Sequence, residues 1–191
     1  RFVLSSDEAN AAIIAGTRWD VLYDPSTQLL RLGWHVDEDR GDANAYDLLA
    51  SEARIASFLA VATRQVPAAH WVHLGRPLAR AGRDRVLLSW SGTTFEYLMP
   101  ALWMRPPPGT LLDAAEAACV RRQRAFGAAH DLPWGVSESS YARRDPHGGY
   151  RYHAFGVPDL ALAHLPTDRR VVAPYATHLG LLRAPADATA A

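Results

Sequence analysis

The sequence predicts a mainly α-helical fold with long loops and short β-hairpins. Alanine-rich stretches that read as helices alternate with segments dense in Trp, Gly, Pro and His. Capping residues open the helical stretches and prolines close them. The strand-like runs are short and local.

In chain order, Ser5-Ser6-Asp7-Glu8 gives residues 5–15 a capped helix start with acids in its first turn, ending near Gly16. A hairpin follows, with Trp19 to Tyr23 and Leu29 to Trp34 on either side of Asp24-Pro25-Ser26. The polar loop Asp37 to Asn44 leads into the clearest helix, Tyr46 to about Thr63, and Pro67 marks its end. The next segment carries His70, Trp71, His73, Gly75 and Pro77, then a turn at Gly82 and an apolar strand, Val86 to Leu88. A helix from Thr93 to Met104 is stopped by Pro106-Pro107-Pro108. Another runs from the N-cap Thr110, with Asp113 at the capping-box position, to about His130. Pro133 to Val172 reads as loops and short strands, and a last helix starts near Pro174. The Ala-rich end, residues 184–191, is expected to fray.

A chain of 191 residues favours one domain, or part of a larger one. Hydrophobic residues make up 49% and charged residues 21%, enough for a sizeable core. The 20 basic and 20 acidic residues balance, so no net field draws the chain to nucleic acid or an anionic membrane, and nucleic acid is dropped as a partner. Every basic residue is Arg, which excludes Schiff-base, pyridoxal phosphate and phosphate-loop lysine chemistry. The single Cys119 rules out an intrachain disulfide and a multi-cysteine metal knuckle. No apolar run reaches about 18 residues, and no basic segment followed by an apolar one marks a signal peptide. The chain reads as excised from something longer.

Two carboxylates stand out. On the expected helix 46–63, Glu52 has Leu48, Leu49, Ile55 and Ala56 three and four residues away, so it projects from the apolar face. A carboxylate there needs a partner or a wet cleft, and burial raises its pKa in the direction that suits a general acid. The competing reading is a structural ion pair with an Arg. Glu138 lies in Pro133-Trp134-Gly135-Val136-Ser137-Glu138-Ser139-Ser140-Tyr141. If this segment is extended, Trp134, Val136, Glu138 and Ser140 share one side. An aromatic platform beside a carboxylate and hydroxyls is what a sugar site needs, although a surface loop whose Trp packs down gives the same text. Two carboxylates on rigid elements are the minimum for glycoside chemistry.

Glu96, among Trp90, Ser91, Thr93 and Phe95, either binds substrate hydroxyls or favours the positive end of its helix. Asp47 is better read as a capping residue. His70 and His73 lack the His-Glu-x-x-His context of a metal site, and no cofactor or metal is expected. Cys119 reads as a buried inert thiol. Arg121, Arg122 and Arg124 read as a solvated helix face from which one Arg could pair with a buried Glu. The absence of Gly-x-Ser-x-Gly weakens a serine hydrolase reading.

Several blocks, in order from about Trp19 to Thr177, resemble a known family. They are Tyr46-Asp47-Leu48-Leu49-Ala50-Ser51-Glu52-Ala53-Arg54, His70-Trp71 through Leu74-Gly75-Arg76-Pro77, and Ser89-Trp90-Ser91-Gly92 with Phe95-Glu96-Tyr97-Leu98-Met99-Pro100. Pro133-Trp134-Gly135 with Ser137-Glu138-Ser139, Ala154-Phe155-Gly156-Val157-Pro158, and Val172-Ala173-Pro174-Tyr175-Ala176-Thr177 complete the set. Together they closely resemble the glycoamylase-like domain of bacterial cyclic β-1,2-glucan synthases. Ala45 and Ser140 depart from the family pattern without touching the carboxylates.

The resemblance implies an (α/α)6 toroid in the middle of a very large inner-membrane enzyme, on the cytoplasmic side. The neighbouring regions would be a glycosyltransferase and a phosphorylase-like region, and the substrate a linear β-1,2-glucan closed into a ring by an anomer-retaining transglycosylase. By motif position Glu138 corresponds to the nucleophile and Glu52 to the acid/base, acting through a substrate hydroxyl. Trp90, Glu96, Trp134 and Tyr141 are the expected substrate contacts. Twelve helices of roughly 11–12 residues with long loops need about twice this chain, so residues 1–191 are expected to form about the N-terminal half of one toroid, a partial ring. The rivals are an inverting β-1,2-glucan hydrolase on the same fold, a noncatalytic glucan-binding or packing segment and, more weakly, an α-glucan hydrolase.

Overall fold

The computed structural model describes residues 6–153, 155–164 and 171–184, with the side chains of Ser6, Tyr141, Ala142, Arg143 and His153 outside the description. Of the segments named above, Ser5, Ala154, residues 165–170 and the expected frayed tail from residue 185 onward lie outside the described residues. The chain is helical with short strands, in two compact units. One comprises Arg1–Asp47 and Ala56–Leu74, and the other Leu48–Ile55 and Gly75–Ala191. Among the described residues no helix is long and apolar enough to cross a membrane.

The first unit opens with α1 (Ser6–Gly16), carrying the expected acids Asp7 and Glu8 in its first turn. The predicted hairpin is present but shorter. Residues Asp20–Leu22 form a 3-10 turn, and only β1 (Tyr23–Asp24) and β2 (Leu29–Arg31) pair, Tyr23 opposite Leu30. Within the expected polar loop, β4 (Arg40–Gly41) pairs back on β3 (Trp34–His35) just before it. β5 (Ala45–Tyr46) then adds a third strand beside β2.

The helix predicted to start at Tyr46 is α2 (Arg54–Ala62), beginning eight residues later. The intervening backbone is taken by longer-range pairing. Tyr46 bonds across to Leu30, and Leu48 bridges Gly75 with a 3.0 Å bond from Leu49 N to Gly75 O. Helix propensity is worth tenths of a kcal/mol per residue, and these ladders outweigh it. The C-terminal end falls where the sequence put it. Arg64 adopts the left-handed conformation (φ 61°), and bonds from Arg64 N to Val61 O and Gln65 N to Ala60 O close a Schellman motif ahead of Pro67. Leu30, Ala60 and Val66 form this unit's core, with Trp19, Leu22, Tyr23 and Ala56 packed around them. On α3 (Ala69–His73), His70 is fully buried between Gln28 O (2.8 Å) and Ser57 Oγ (2.9 Å), a structural histidine.

The second unit begins with a hairpin, β6 (Leu78–Ala81) and β7 (Asp84–Leu87), turning at Gly82, where φ is 61°. α4 (Thr94–Leu98) is shorter than predicted and passes into a 3-10 turn, Met99–Leu102, because Pro100 has no N–H with which to continue the helix. α5 (Leu111–Ala129) matches the expectation closely. Thr110 caps it by accepting from Asp113 N at 3.3 Å, but the Asp113 carboxylate accepts from Gly109 N rather than closing a box on Thr110. Ala115, Cys119 and Gln123 recur every four residues on its buried face, and Cys119 is the buried thiol expected. β8 (Ser139–Arg144) pairs with β9 (Tyr150–His153), and α6 (Pro174–Leu179) starts at the predicted proline. α4 packs on both α5 and α6.

The loops Ser89–Gly92 and Phe155–Ala161 run against each other, with bonds from Ser89 N to Leu160 O and from Val157 N to Gly92 O, both 3.0 Å. Their backbones approach so closely that a Cβ on Gly156 would stand 1.7 Å from Ser91 O. Gly156→Ala is therefore expected to lower stability by roughly 1–3 kcal/mol or more, read as a fall in the urea midpoint of the complete domain.

Candidate active site

All the sequence-predicted site residues lie in the second unit. Glu52 is not on a helix face. It sits in the turn Ser51–Ala53 that precedes α2, and this corrects the argument that singled it out. Ser51 shapes the turn, its Oγ accepting from Ala53 N at 3.2 Å and donating to Glu52 Oε2 at 3.3 Å. Asp47, read as a helix cap, precedes the Leu48 bridge and lies outside any helix.

Directly after this turn, the Arg54 guanidinium is 2% exposed and fans out across three elements. Nη1 donates to Ser51 O (3.2 Å) and Glu96 O (2.8 Å), and Nη2 to Tyr97 O (2.6 Å) and Glu116 Oε1 (3.1 Å). Arg54 thus ties the Glu52 turn to α4 and α5. Burial pushes Glu116 up to about 7, against the pull of Arg54 and Arg183. The buried ion pair is real, but it joins Arg54 to Glu116 and leaves Glu52 out of it. The surface arginines of α5 go elsewhere, Arg121 to Asp84 (2.8 Å) and Arg122 to Asp159.

Glu138 is held from three sides through the residues before it. The Gln123 amide on α5 pairs with the backbone of Val136, accepting from its N–H and donating to its carbonyl, both at 2.8 Å. At the start of α4, Thr94 N also donates to Val136 O, and Phe95 N donates to Ser137 Oγ at 3.2 Å. From α6, Thr177 Oγ1 donates to Trp134 O at 2.7 Å, and the Tyr175 hydroxyl contacts Ser137 Oγ (2.9 Å) and Glu138 O (2.8 Å). This threading removes the expected alternation, because Trp134, Gly135, Val136 and Ser137 are buried in succession and only Glu138 begins to emerge. From β9 the Tyr152 hydroxyl donates to Glu138 Oε2.

The aromatic platform is therefore not Trp134. Its ring is 7% exposed and so close over Gly180 that a Cβ there would meet it at 2.2 Å. It packs down, as a loop Trp does when small residues lie beneath it. Glu96 is likewise turned inward: at 6% exposure its carboxylate is held by its own loop. Oε1 accepts from Ser91 N (2.9 Å), and Oε2 accepts from Ser89 Oγ (3.0 Å), Thr93 N (2.8 Å) and Thr93 Oγ1 (2.7 Å). With Thr93 receiving Glu96 N, this is a capping box that folds the 89–93 loop and engages both carboxylate oxygens. Trp90 in that loop is 63% exposed. Tyr141 pairs with Arg151 along the β8–β9 ladder.

The carboxylates feel one another. Burial raises Glu52 above the ordinary carboxylate range and the charge of Glu96 adds to it, while the Ser51 hydroxyl and Arg54 oppose the shift. Burial also raises Glu138, helped by the charges of Glu52 and then Glu96. Glu52, in a turn, and Glu138, at the mouth of a hairpin, are half-buried carboxyls with raised proton affinity, the chemistry suited to proton transfer.

Sequence reasoning missed Tyr152, Tyr175, Arg54 and Glu116. For Arg54 a signal was present, a guanidinium two residues beyond a singled-out carboxylate at the start of an apolar helix. For the tyrosines none was, since only strand register and helix docking bring them to Glu138.

Comparison with known proteins gives the family. The chain is 41% identical over 169 residues to the cyclic beta-(1,2)-glucan synthase NdvB of Rhizobium meliloti (strain 1021), an alignment covering 88% of this chain and 6% of that protein. The Glycoamylase family model matches residues 44–191, a span that contains both carboxylates, the capping-box loop and all the elements that hold them. The chain belongs to the Glycoamylase family.

Proposed function

We propose that this chain is part of the ring-closing domain of a cyclic β-1,2-glucan synthase, an anomer-retaining transglycosylase with Glu138 as nucleophile and Glu52 as acid/base. The Glu138 carboxylate attacks the anomeric carbon of a linear β-1,2-glucan as the glycosidic C–O bond breaks, and the leaving oxygen takes a proton that originates from Glu52 through a substrate hydroxyl. In the second half a hydroxyl at the chain's own far end returns a proton to Glu52 and displaces Glu138. The glycosidic bond reforms with its original anomer and the ring is closed. Exposed Trp90 lines the path of the sugar, stacking on its apolar ring faces, and Tyr141 is the second aromatic contact assigned to it.

The observation that carries this reading is the pairing of Glu52 and Glu138 in one electrostatic field, both raised by burial and the second raised further by the first. The family membership and the likeness to a glucan synthase support the substrate class. We place the chain as about the N-terminal half of an (α/α)6 toroid, with glycosyltransferase and phosphorylase-like regions elsewhere in the same polypeptide. That polypeptide sits at the bacterial inner membrane, with this segment on the cytoplasmic side.

The test incubates the complete domain with linear β-1,2-glucan and weighs the products. Rings, lighter by one water than linear chains of equal length, are the expected outcome. Shorter linear chains with an inverted anomer by NMR identify an inverting hydrolase, and binding without cleavage identifies a noncatalytic module.

A further inference from the structure

Glu138 emerges from the packed 134–137 segment with little to fix its side chain from below, and one residue reaches it from across the hairpin. In the β8–β9 register Ser140 stands opposite Tyr152. Side chains two apart on a strand share a face, so Glu138 is the diagonal neighbour of Tyr152, within reach of a long aromatic side chain. The Tyr152 hydroxyl donates to Oε2 of Glu138 while its ring stays 57% exposed. Tyr150, on the same face of β9 and 60% exposed, is committed elsewhere. Its hydroxyl accepts from Arg144 Nη2 at 3.0 Å, and the Arg144 guanidinium lies over its ring at 4.5 Å. Tyr175 holds the backbone of Glu138 and packs edge-on against Phe95, 6.2 Å between ring centres.

We propose that Tyr152 is a positioning residue for Glu138: by donating to Oε2 it fixes the carboxylate rotamer and commits the other oxygen, Oε1, to attack on the sugar. This inference rests on the reading of Glu138 as the nucleophile and adds to it which oxygen reacts and what aims it. The physical case has two parts. A hydroxyl bonded to a carboxylate is charge-assisted and favours the ionised form, the one a nucleophile requires. It also removes a rotational freedom that would otherwise be lost on the way to the transition state. The groups that act on Glu138 electrostatically are the Glu52 and Glu96 carboxyls, with the Tyr152 and Tyr175 hydroxyls beside it. Tyr152 therefore opposes the charges that make Glu138 harder to ionise.

The test uses the complete synthase and compares Tyr152→Phe, which keeps the ring, with Tyr150→Phe, which removes a hydroxyl from the same face of the same strand. Tyr152→Phe is expected to lower kcat for ring formation roughly 10- to 100-fold, the range set by a hydrogen bond to a charged group. KM stays near wild type, and the acid limb of the kcat/KM profile moves to higher pH because Glu138 has lost the donor that favours its ionised form. Tyr150→Phe is expected to leave kcat and the acid limb unchanged. An unchanged kcat and acid limb in Tyr152→Phe overturns the proposal. So does a rise in KM alone, which identifies a stacking contact, or an equal loss in Tyr150→Phe, which identifies a general effect on the hairpin. Glu138→Gln, run alongside, separates the two levels. If it is inactive while Tyr152→Phe is normal, only this inference falls, and if it retains full activity the nucleophile assignment falls and this inference with it.

Discussion

Glu138→Gln and Glu52→Gln, each made in the complete synthase, are expected to stop ring formation and leave the fold intact. Loss of a general acid costs about 10²- to 10⁴-fold in kcat, and this is the effect expected at Glu52. The loss at Glu138 should be at least as large, because an amide cannot form the covalent glycosyl intermediate. Both replacements are nearly isosteric at half-buried positions, so the thermal midpoint should change little. The pH profile gives a second reading. Glu138 must be ionised to attack, and since its pKa is raised, the acid limb should lie above the ordinary carboxylate range. Glu52 must hold its proton to protonate the leaving oxygen, and since its pKa is also raised, activity should persist until pH climbs through that raised value and then fall. The two limbs belong to the coupled pair rather than to either residue alone. Residual activity of Glu52→Gln should lose the alkaline limb. Full activity of either variant would sink the assignment.

The second large effect is on stability. Arg54→Met is expected to lower the unfolding free energy of the complete domain by about 3–5 kcal/mol, the cost of breaking a buried ion pair by removing one partner. The backbone carbonyls of Glu96 and Tyr97 lose the guanidinium donor in the same step, as does that of Ser51, which keeps the Arg54 backbone N–H. Arg54→Lys keeps the charge but cannot span the fork, so it should fall between wild type and Met. The sign of the pH dependence follows from Glu116, whose pKa in the fold is raised to about 7. A raised carboxyl favours the folded state below its ordinary range, and that contribution is lost as pH rises through about 7. In Arg54→Met the ionised Glu116 keeps only Arg183, so the destabilisation should be larger at about pH 8 than at about pH 5. Urea midpoints at the two values check this, and equal losses at both would remove Glu116 from the explanation.

Much of the helical skeleton was legible. The starts of α5 and α6 and the end of α2 follow from a threonine cap, an N1 proline and a left-handed residue before Pro67, all local features. The start of α2 was not, because the backbone of Tyr46 to Leu49 is paired with strand β2 and with Gly75, partners remote in sequence. Glu52 and Glu138 stand out in the sequence as candidates, yet the reason for choosing Glu52 does not hold in the structure. It was singled out as an inward-facing helical residue and turns out to occupy a turn. The structure engages Trp134 and Glu96, both read as ligand contacts from the sequence, in holding the fold together. For Trp134 the cause is a contact remote in sequence, its ring over Gly180, and for Glu96 it is local, the Ser89–Thr93 loop whose N–H and hydroxyl groups close on the carboxylate.

The sequence by itself determined the helical class and the family and singled out two carboxylates as candidates, because caps, prolines and motif blocks are written in neighbouring residues. What only the tertiary structure decided is the environment of those carboxylates: the Arg54 fork that pins one turn to two helices, the Gln123 amide that threads Glu138 into place, and the tyrosine that meets it from across a hairpin. Hydrogen-bond geometry and burial depend on which remote segments lie against one another. That is fixed by packing and strand register, and nothing in the local pattern of the chain encodes it directly.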